Sequence, residues 1–358
     1  MAQEIQLEIS DVAFGGAGVA RLDGKVYFVP FTAPGDTVRA RVKRDKKKFA
    51  EATLLEVLTP SSNRVKAPCA YFGKCGGCAY QHLTYPEQLA LKHRQVEQTL
   101  RRVGRLTEVP MRPIVPSPRQ YAFRNRIRVH VIDGRAGFFA HASHDLVQIG
   151  RCEIAQPAVN EALHDLRRRV TVDGDYTLVA RDRSEFFEQT NDEVAAELLA
   201  LAEKSITPGQ SLLIDAYCGG GFFAHHLAPH FKSVIGIEEN EHAVAYAQRR
   251  AGENERYLAG DVAALLGEAL SASDPQRTCV VLDPPATGLA PRVVEFLQGT
   301  APAEILYVSC NPATMARDLA ELSRTHRLES VTPLDMFPQT AEIEVLAVLR
   351  RISASSGL

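Results

Sequence analysis

Three groups of residues in this chain stand at spacings that could do chemistry. The first centres on Cys310, in Ser309-Cys310-Asn311-Pro312. The run Glu304-Ile305-Leu306-Tyr307-Val308-Ser309 reads as a buried strand that delivers Cys310 at its carboxyl end. Asn311-Pro312 then opens a helix through about Arg324, because proline suits a first helical turn. A thiol beside a helix N-terminus is shifted toward thiolate, the nucleophilic form. The plainer role of a small buried hydrophobe fits Cys279 better, and Cys218 reads as packing within a turn. The second group is Glu342 and Glu344, on one face of a strand that then becomes wholly apolar. An acid at the mouth of such a strand can have a raised pKa and serve as a base.

The third group is Cys69-x5-Cys75-x2-Cys78, with Gly73, Gly76 and Gly77 around it. Glycines let a tight loop fold with backbone amides aimed at sulfur. Cys152, after the strand Leu146-Val147-Gln148-Ile149, is the best fourth ligand. Four thiolates suit an iron–sulfur cluster or a structural zinc, and spacing does not separate the two.

A further set of acids marks a ligand site. Leu212-Leu213-Ile214-Asp215-Ala216 is an apolar strand, and Tyr217-Cys218-Gly219-Gly220-Gly221-Phe222 is a glycine-rich turn into a helix. The turn is not a dinucleotide fingerprint, because Ala224 stands at the third glycine position, and this disfavours a nicotinamide dehydrogenase. Asp215, Glu238, Asp261 and Asp283 recur every 22–23 residues, each near the end of an expected strand. That is the period of a doubly wound βα sheet, which binds ligands at those ends. Glu238 is placed for ribose hydroxyls and Asp261 for an adenine amine, although an acid at a strand end can also simply cap the next helix.

The elements that must position these groups fall into three stretches. Residues 1–58 read as short strands with regular turns, a small OB-like β-barrel. In Thr37–Lys43 the Val and Ala side would face a core, while Arg39, Arg41 and Lys43 would face outward. Residues 59–185 hold a linker at Thr59-Pro60-Ser61-Ser62, the cysteines, an amphipathic helix from about Tyr85 to Val103, and strands between Tyr121 and Ile149. Residues 186–358 alternate helix and strand. Charge is split along the chain: the 358 residues carry a net −2, but residues 1–130 carry +11 and the remainder −13. Such asymmetry points to a polyanion-binding front half. No apolar run approaches the ~18 residues of a membrane span, and the acidic, polar start is unlike a leader peptide. A cytoplasmic protein away from membranes is expected.

Taken together, these motifs resemble the RNA uridine-C5 methyltransferases, in particular their iron–sulfur branch acting on large-subunit rRNA. Residues 1–58 resemble a TRAM domain. The four cysteines with Phe72-Gly73 and Gly76-Gly77 are similar to the [4Fe-4S] motif, and Phe123-Arg124-Asn125-Arg126 to Y-R-N-K. Phe187-Glu188-Gln189-Thr190-Asn191 fits F-x-Q-x-N, Asp215 to Phe222 fits D-L-Y-C-G-x-G-x-F, and Ser309 to Thr314 fits S-C-N-P-A-T. The resemblance implies a class I S-adenosylmethionine-dependent methyltransferase domain (Rossmann-like), the barrel, and a small β-rich central domain. It implies Cys310 as nucleophile and Glu344 as general base. Gln189, Asp215, Tyr217, Gly219, Gly221, Glu238, Asp261 and Asp283 would form the S-adenosylmethionine and uracil site, and Cys69, Cys75, Cys78 and Cys152 would hold the cluster. It further implies RNA as partner, with 23S rRNA as the substrate, and a monomer. A tRNA T-loop enzyme and an inactive RNA-binding factor are the alternatives. Two departures stand out: Ala286 replaces the arginine of D-P-P-R-x-G, and Glu342 stands where histidine is usual.

Overall fold

The computed structural model describes residues 3–169, 172–180 and 189–352. The chain forms two compact units. The first comprises residues 1–95, 117–183 and 337–342, and the second residues 96–116, 184–336 and 343–358.

The first unit opens with five strands, β1 (Glu4–Val12), β2 (Ala17–Leu22), β3 (Lys25–Pro30), β4 (Thr37–Asp45) and β5 (Phe49–Thr59). They close into a barrel in the order β1-β2-β3-β5-β4. Val38 and Ala40 alternate with exposed Arg39 and Arg41, so the period-two expectation holds. The barrel core is Leu7, Ile9, Ala20, Val29, Val38, Ala40 and Ala52. The outward arginines, however, are already paired: Arg39 donates to Glu56 at 2.8 Å and Arg41 to Glu4 at 2.9 Å. Below the barrel, buried Asp36 accepts from the amides of Ala33 (2.7 Å) and Ser61 (2.8 Å) and from Arg64 (2.7 Å). Burial alone would raise its pKa, but the Arg64 bond and the two amides outweigh this and hold it low.

The helix α1 (Tyr85–Arg102) contributes Leu91 to a core of the first unit and Val96 and Leu100 to that of the second. β6 (Arg126–Ile132), β7 (Arg135–Phe139), β8 (Leu146–Gln148) and β9 (Gly174–Val179) form an antiparallel sheet, ordered β8-β7-β6-β9. The helix α2 (Pro157–Arg169) covers it with Val159 and Leu163.

The second unit alternates helix and strand: α3 (Asp192–Ser205), β10 (Leu212–Ala216), α4 (Phe222–Leu227), β11 (Ser233–Glu238), α5 (Glu241–Arg250), β12 (Glu255–Ala259), α6 (Val262–Ser271), β13 (Thr278–Leu282), α7 (Pro291–Thr300), β14 (Glu304–Ser309), α8 (Pro312–Leu322), β15 (His326–Leu334) and β16 (Glu344–Arg351). The sheet order is β12-β11-β10-β13-β14-β16-β15. β10 to β14 run parallel, and β16 inserts antiparallel between β14 and β15. Runs such as Cys279-Val280-Val281-Leu282 are buried throughout, as strands covered on both faces must be. No helix among the described residues is long and apolar enough to cross a membrane.

Candidate active site

The glycine-rich turn leaves β10 through left-handed backbone. Tyr217 (φ 67°), Gly219 (φ 51°) and Gly221 (φ 85°) all lie there, and for a tyrosine this is strained. Glu238 at the end of β11 braces the turn, accepting from the Gly219 amide at 3.1 Å and the Asn240 amide at 2.9 Å. Asp215 is fully buried and accepts from the Ala224 amide at 2.8 Å, while its Oδ1 has no partner among the described residues. Burial, with help from the carboxylates of Asp283 and Glu238, pushes Asp215 up to about 8. Burial likewise raises Asp283, which follows β13. The structure therefore brings Asp215, Glu238 and Asp283 into one electrostatic neighbourhood. Asp261 is exposed and caps α6, accepting from the Ala264 amide at 2.7 Å. Gln189 is buried. Phe187 and Glu188 lie outside the described residues.

Cys310 follows β14 directly and is exposed, whereas Cys218 and Cys279 are buried and burial raises both of their pKa values. Asn311 caps α8 by accepting from the Ala313 amide at 3.0 Å, with Pro312 in the first turn. Antiparallel pairing of β14 with β16 runs from Glu304↔Arg350 to Ser309↔Val345. Cys310 therefore leaves β14 at the end of the ladder where Glu344 opens β16. Glu344 opens β16 and is 3% exposed. The expectation that Glu342 and Glu344 share a strand face fails, because the strand starts at Glu344 and Glu342 is exposed before it.

Two supports were not read from the sequence. Asp318, buried in α8, accepts from the Leu289 amide (2.8 Å) and the Tyr307 hydroxyl (2.7 Å) on Oδ2, and from Arg317 Nε (2.9 Å) on Oδ1. Asn311 and Thr314 both donate to the Ala286 carbonyl, at 2.9 and 3.1 Å. The Asp283–Leu289 loop is thus held through its backbone, which does not need an arginine side chain at position 286. The visible signal was an acid, Asp318, inside the apolar helical stripe Met315, Leu319 and Leu322. In the first unit, the Gln88 amide nitrogen donates to Gln339 Oε1 (3.0 Å), and the Ala79 and Tyr80 amides donate to the Gln339 carbonyl (3.0 and 2.9 Å). The segment 337–339 is stitched in this way to α1 and to the residues just after Cys78. Lys92 donates to the Phe337 carbonyl at 2.9 Å.

Cys69, Cys75, Cys78 and Cys152 are all free and half-buried. The Gly77 amide donates to Cys75 Sγ at 3.4 Å. The loop is pinned by Gly76 N–H to the Phe139 carbonyl (2.9 Å) and His141 N–H to the Lys74 carbonyl (3.1 Å). A Cβ at Gly76 would lie 3.1 Å from the Phe139 oxygen, so the tight approach favours glycine. Burial pushes Cys78 up to about 12 and Cys152 to about 11. The charge of Cys152, Cys75 and Cys69 each adds to the shift at Cys78. Among the described residues no three His, Cys, Asp or Glu side chains converge as a single-ion site.

The barrel followed by a seven-stranded sheet with one reversed strand defines a class I S-adenosylmethionine-dependent methyltransferase fold carrying an N-terminal TRAM domain. The tRNA (uracil-5-)-methyltransferase profile matches residues 141–257 and 264–352, and the TRAM profile matches residues 2–55. An uncharacterised RNA methyltransferase of Bdellovibrio bacteriovorus is 34% identical over 379 residues, covering 98% of this chain and 96% of its own. One of Thermosynechococcus vestitus is 30% identical over 439 residues, covering 96% and 97%. The crystal structure of Pyrococcus abyssi tRNA (uracil-54, C5)-methyltransferase with S-adenosyl-L-homocysteine superposes with a TM-score of 0.72 at 26% identity, covering 96% of this chain and all of that one. The chain belongs to the RNA (uracil-5-)-methyltransferase family and is an RNA methyltransferase.

Proposed function

We propose that the protein transfers a methyl group from S-adenosylmethionine to C5 of a uridine in structured RNA, with large-subunit rRNA as the substrate. The observation that carries this reading is that exposed Cys310 leaves β14 at the end of the ladder where buried Glu344 opens the paired strand β16. C5 of uracil is a poor nucleophile. Addition of the Cys310 thiolate to C6 forms an S–C6 bond and moves the electron pair onto C5 and the carbonyl, as an enolate. C5 then takes the methyl from the sulfonium, which leaves as neutral thioether. Glu344 removes the C5 proton, the C5=C6 bond re-forms, and Cys310 departs as thiolate. Asp283 and Gln189 orient the uracil or the donor, and Asp215, Glu238, Asp261 and the turn at Tyr217, Gly219 and Gly221 hold the donor. The target uridine must leave its stack to reach Cys310.

A [4Fe-4S] cluster fits Cys69, Cys75, Cys78 and Cys152. Their thiols interact electrostatically, and the Gly77 amide already points at sulfur. The ligands of a polynuclear cluster stand further apart than those of one ion, so the lack of a single-ion grouping does not disfavour them. The cluster would supply a rigid anchor for the loop whose tail, Ala79-Tyr80, holds Gln339. Iron and sulfide analysis with a visible spectrum separates this from zinc.

Incubation of unmodified rRNA with labelled methyl donor tests the reaction. Transfer by the parent and none by Cys310→Ala is expected, and equal behaviour of the two refutes it. The structural match to a tRNA (uracil-54, C5)-methyltransferase favours tRNA as a second reading. Mass mapping of rRNA and tRNA from a deletion strain decides between them. A non-catalytic RNA-binding role would show as RNA binding without a covalent adduct on 5-fluorouridine RNA.

A further inference from the structure

The first unit contains a cavity of about 1180 Å³ that the methyl-transfer chemistry does not use. It lies where the barrel strands β3 and β5 meet the cysteine loop and the turn after β7. Its wall is aromatic: Phe31 packs edge-on against Phe72 (centroids 5.3 Å apart) and His141 (5.2 Å), and Phe72 lies against His82 at 5.5 Å. Lys43, Lys66 and Lys74 are exposed around it.

Two features mark the cavity as built for a ligand. Phe31 has φ 63°, a left-handed conformation that costs a bulky residue about 1–3 kcal/mol. Arg64 holds the strained turn by donating to the Phe31 carbonyl at 2.8 Å while Asp36 anchors its guanidinium. His82 is 3% exposed and lines the cavity; its ring lies by the Thr32 backbone, outside ordinary hydrogen-bond geometry, and neither nitrogen has another partner among the described residues. Burial lowers His82 to about 4, so near pH 7 its ring is neutral, with one donor and one acceptor nitrogen.

We infer that this cavity receives an unstacked nucleobase of the RNA substrate, stacked on the aromatic wall that Phe31 and Phe72 form, with His82 meeting the base edge and Lys43, Lys66 and Lys74 taking the flanking phosphates. The inference rests on RNA being the substrate and adds a second nucleotide site to it. Aromatic faces accept any base, lysines follow the backbone, and a neutral imidazole can donate and accept as base edges do. The volume slightly exceeds the ~300–1,000 Å³ of ordinary ligand pockets, which suits a base with its adjoining sugar and phosphates.

The test is binding of a short single-stranded oligoribonucleotide carrying 2-aminopurine, read by fluorescence without methyl donor. The parent should quench the probe on stacking. Phe31→Leu and Phe72→Leu should weaken binding by about 5- to 150-fold with an unchanged salt slope. Lys66→Gln with Lys74→Gln should instead flatten the salt slope by about 1.4. If either Phe variant fails to fold, as read by thermal melting, exposed His141→Ala decides, with at least about fivefold weakening expected. No quenching by the parent, or unchanged affinity in the folded variants, overturns the inference. Methyl transfer is not part of the readout, so failure of the proposed reaction would be seen separately.

Discussion

Substitution of Asp318 gives the sharpest test of how the site is held. Asp318 is 2% exposed and Tyr307 is fully buried. In Asp318→Leu the Leu289 N–H and the Tyr307 O–H lose their acceptor inside the protein. Each buried orphan costs about 1–3 kcal/mol, so about 2–6 kcal/mol of stability should go. In Asp318→Asn the amide oxygen can still face those two donors. Its NH2 group then meets Arg317, whose side chain is 53% exposed and can turn to water. That variant should lose only the charge-assisted part, about 1–2 kcal/mol. Tyr307→Phe leaves Asp318 with one donor fewer, and a double-mutant cycle with Asp318→Asn should show about 0.5–3 kcal/mol of coupling. Urea unfolding measures all of these. Methyl transfer by the folded Leu variant should fall by up to about 10²-fold, because the 283–289 loop carries Asp283 and small misplacements are costly. Equal midpoints for the Leu and Asn variants, or a loss below about 1 kcal/mol in the Leu variant, would refute the account.

Asp215 gives a pH dependence of definite sign. Its folded pKa of about 8 lies above the unfolded value, so the stability it contributes is fully present below about pH 4 and is lost as pH rises through about 8. Melting temperature of the donor-free protein should fall over that window, and Asp215→Asn should flatten the fall. Glu344→Gln should still add Cys310 to RNA but fail to remove the C5 proton, so a covalent protein–RNA species should persist on denaturing gels with donor present; prompt release would exclude Glu344 as the base. Gly236→Ala would set a Cβ 2.4 Å from the Tyr257 ring, and overpacking should cost about 1–3 kcal/mol, recovered in part by Tyr257→Leu.

The barrel, the doubly wound order and the strand ends bearing Asp215, Glu238 and Asp283 were legible because each rests on a local period. The placement of Cys310 was legible because Asn311-Pro312, after an apolar strand, suits a helix N-terminus. Asp318 was not, since its value lies in meeting Leu289 and Tyr307, which no local pattern links to it. Gln88 and Gln339 escaped for the same reason: a pair 251 residues apart leaves no periodic trace. Asp261 shows the opposite limit. Its strand-end position served equally for a ligand and a cap, and its oxygen caps α6.

The charge split read from the sequence is spread unevenly over the side chains that carry it. The +11 of residues 1–130 is a net that already subtracts the carboxylates of the ion pairs within it. Arg39, Arg41, Arg64 and Arg94 each face a carboxylate, and Arg44 stands 3.8 Å from Glu51. Charges so paired release few counterions when a phosphate arrives. Lys43, Lys66 and Lys74 enter no ion pair among the described residues, and they surround the aromatic cavity. Three phosphates neutralised there give a salt slope of about −2 for a single strand. Stacking on Phe31 and Phe72 must then carry much of the affinity, because it is the part of that surface which salt does not screen.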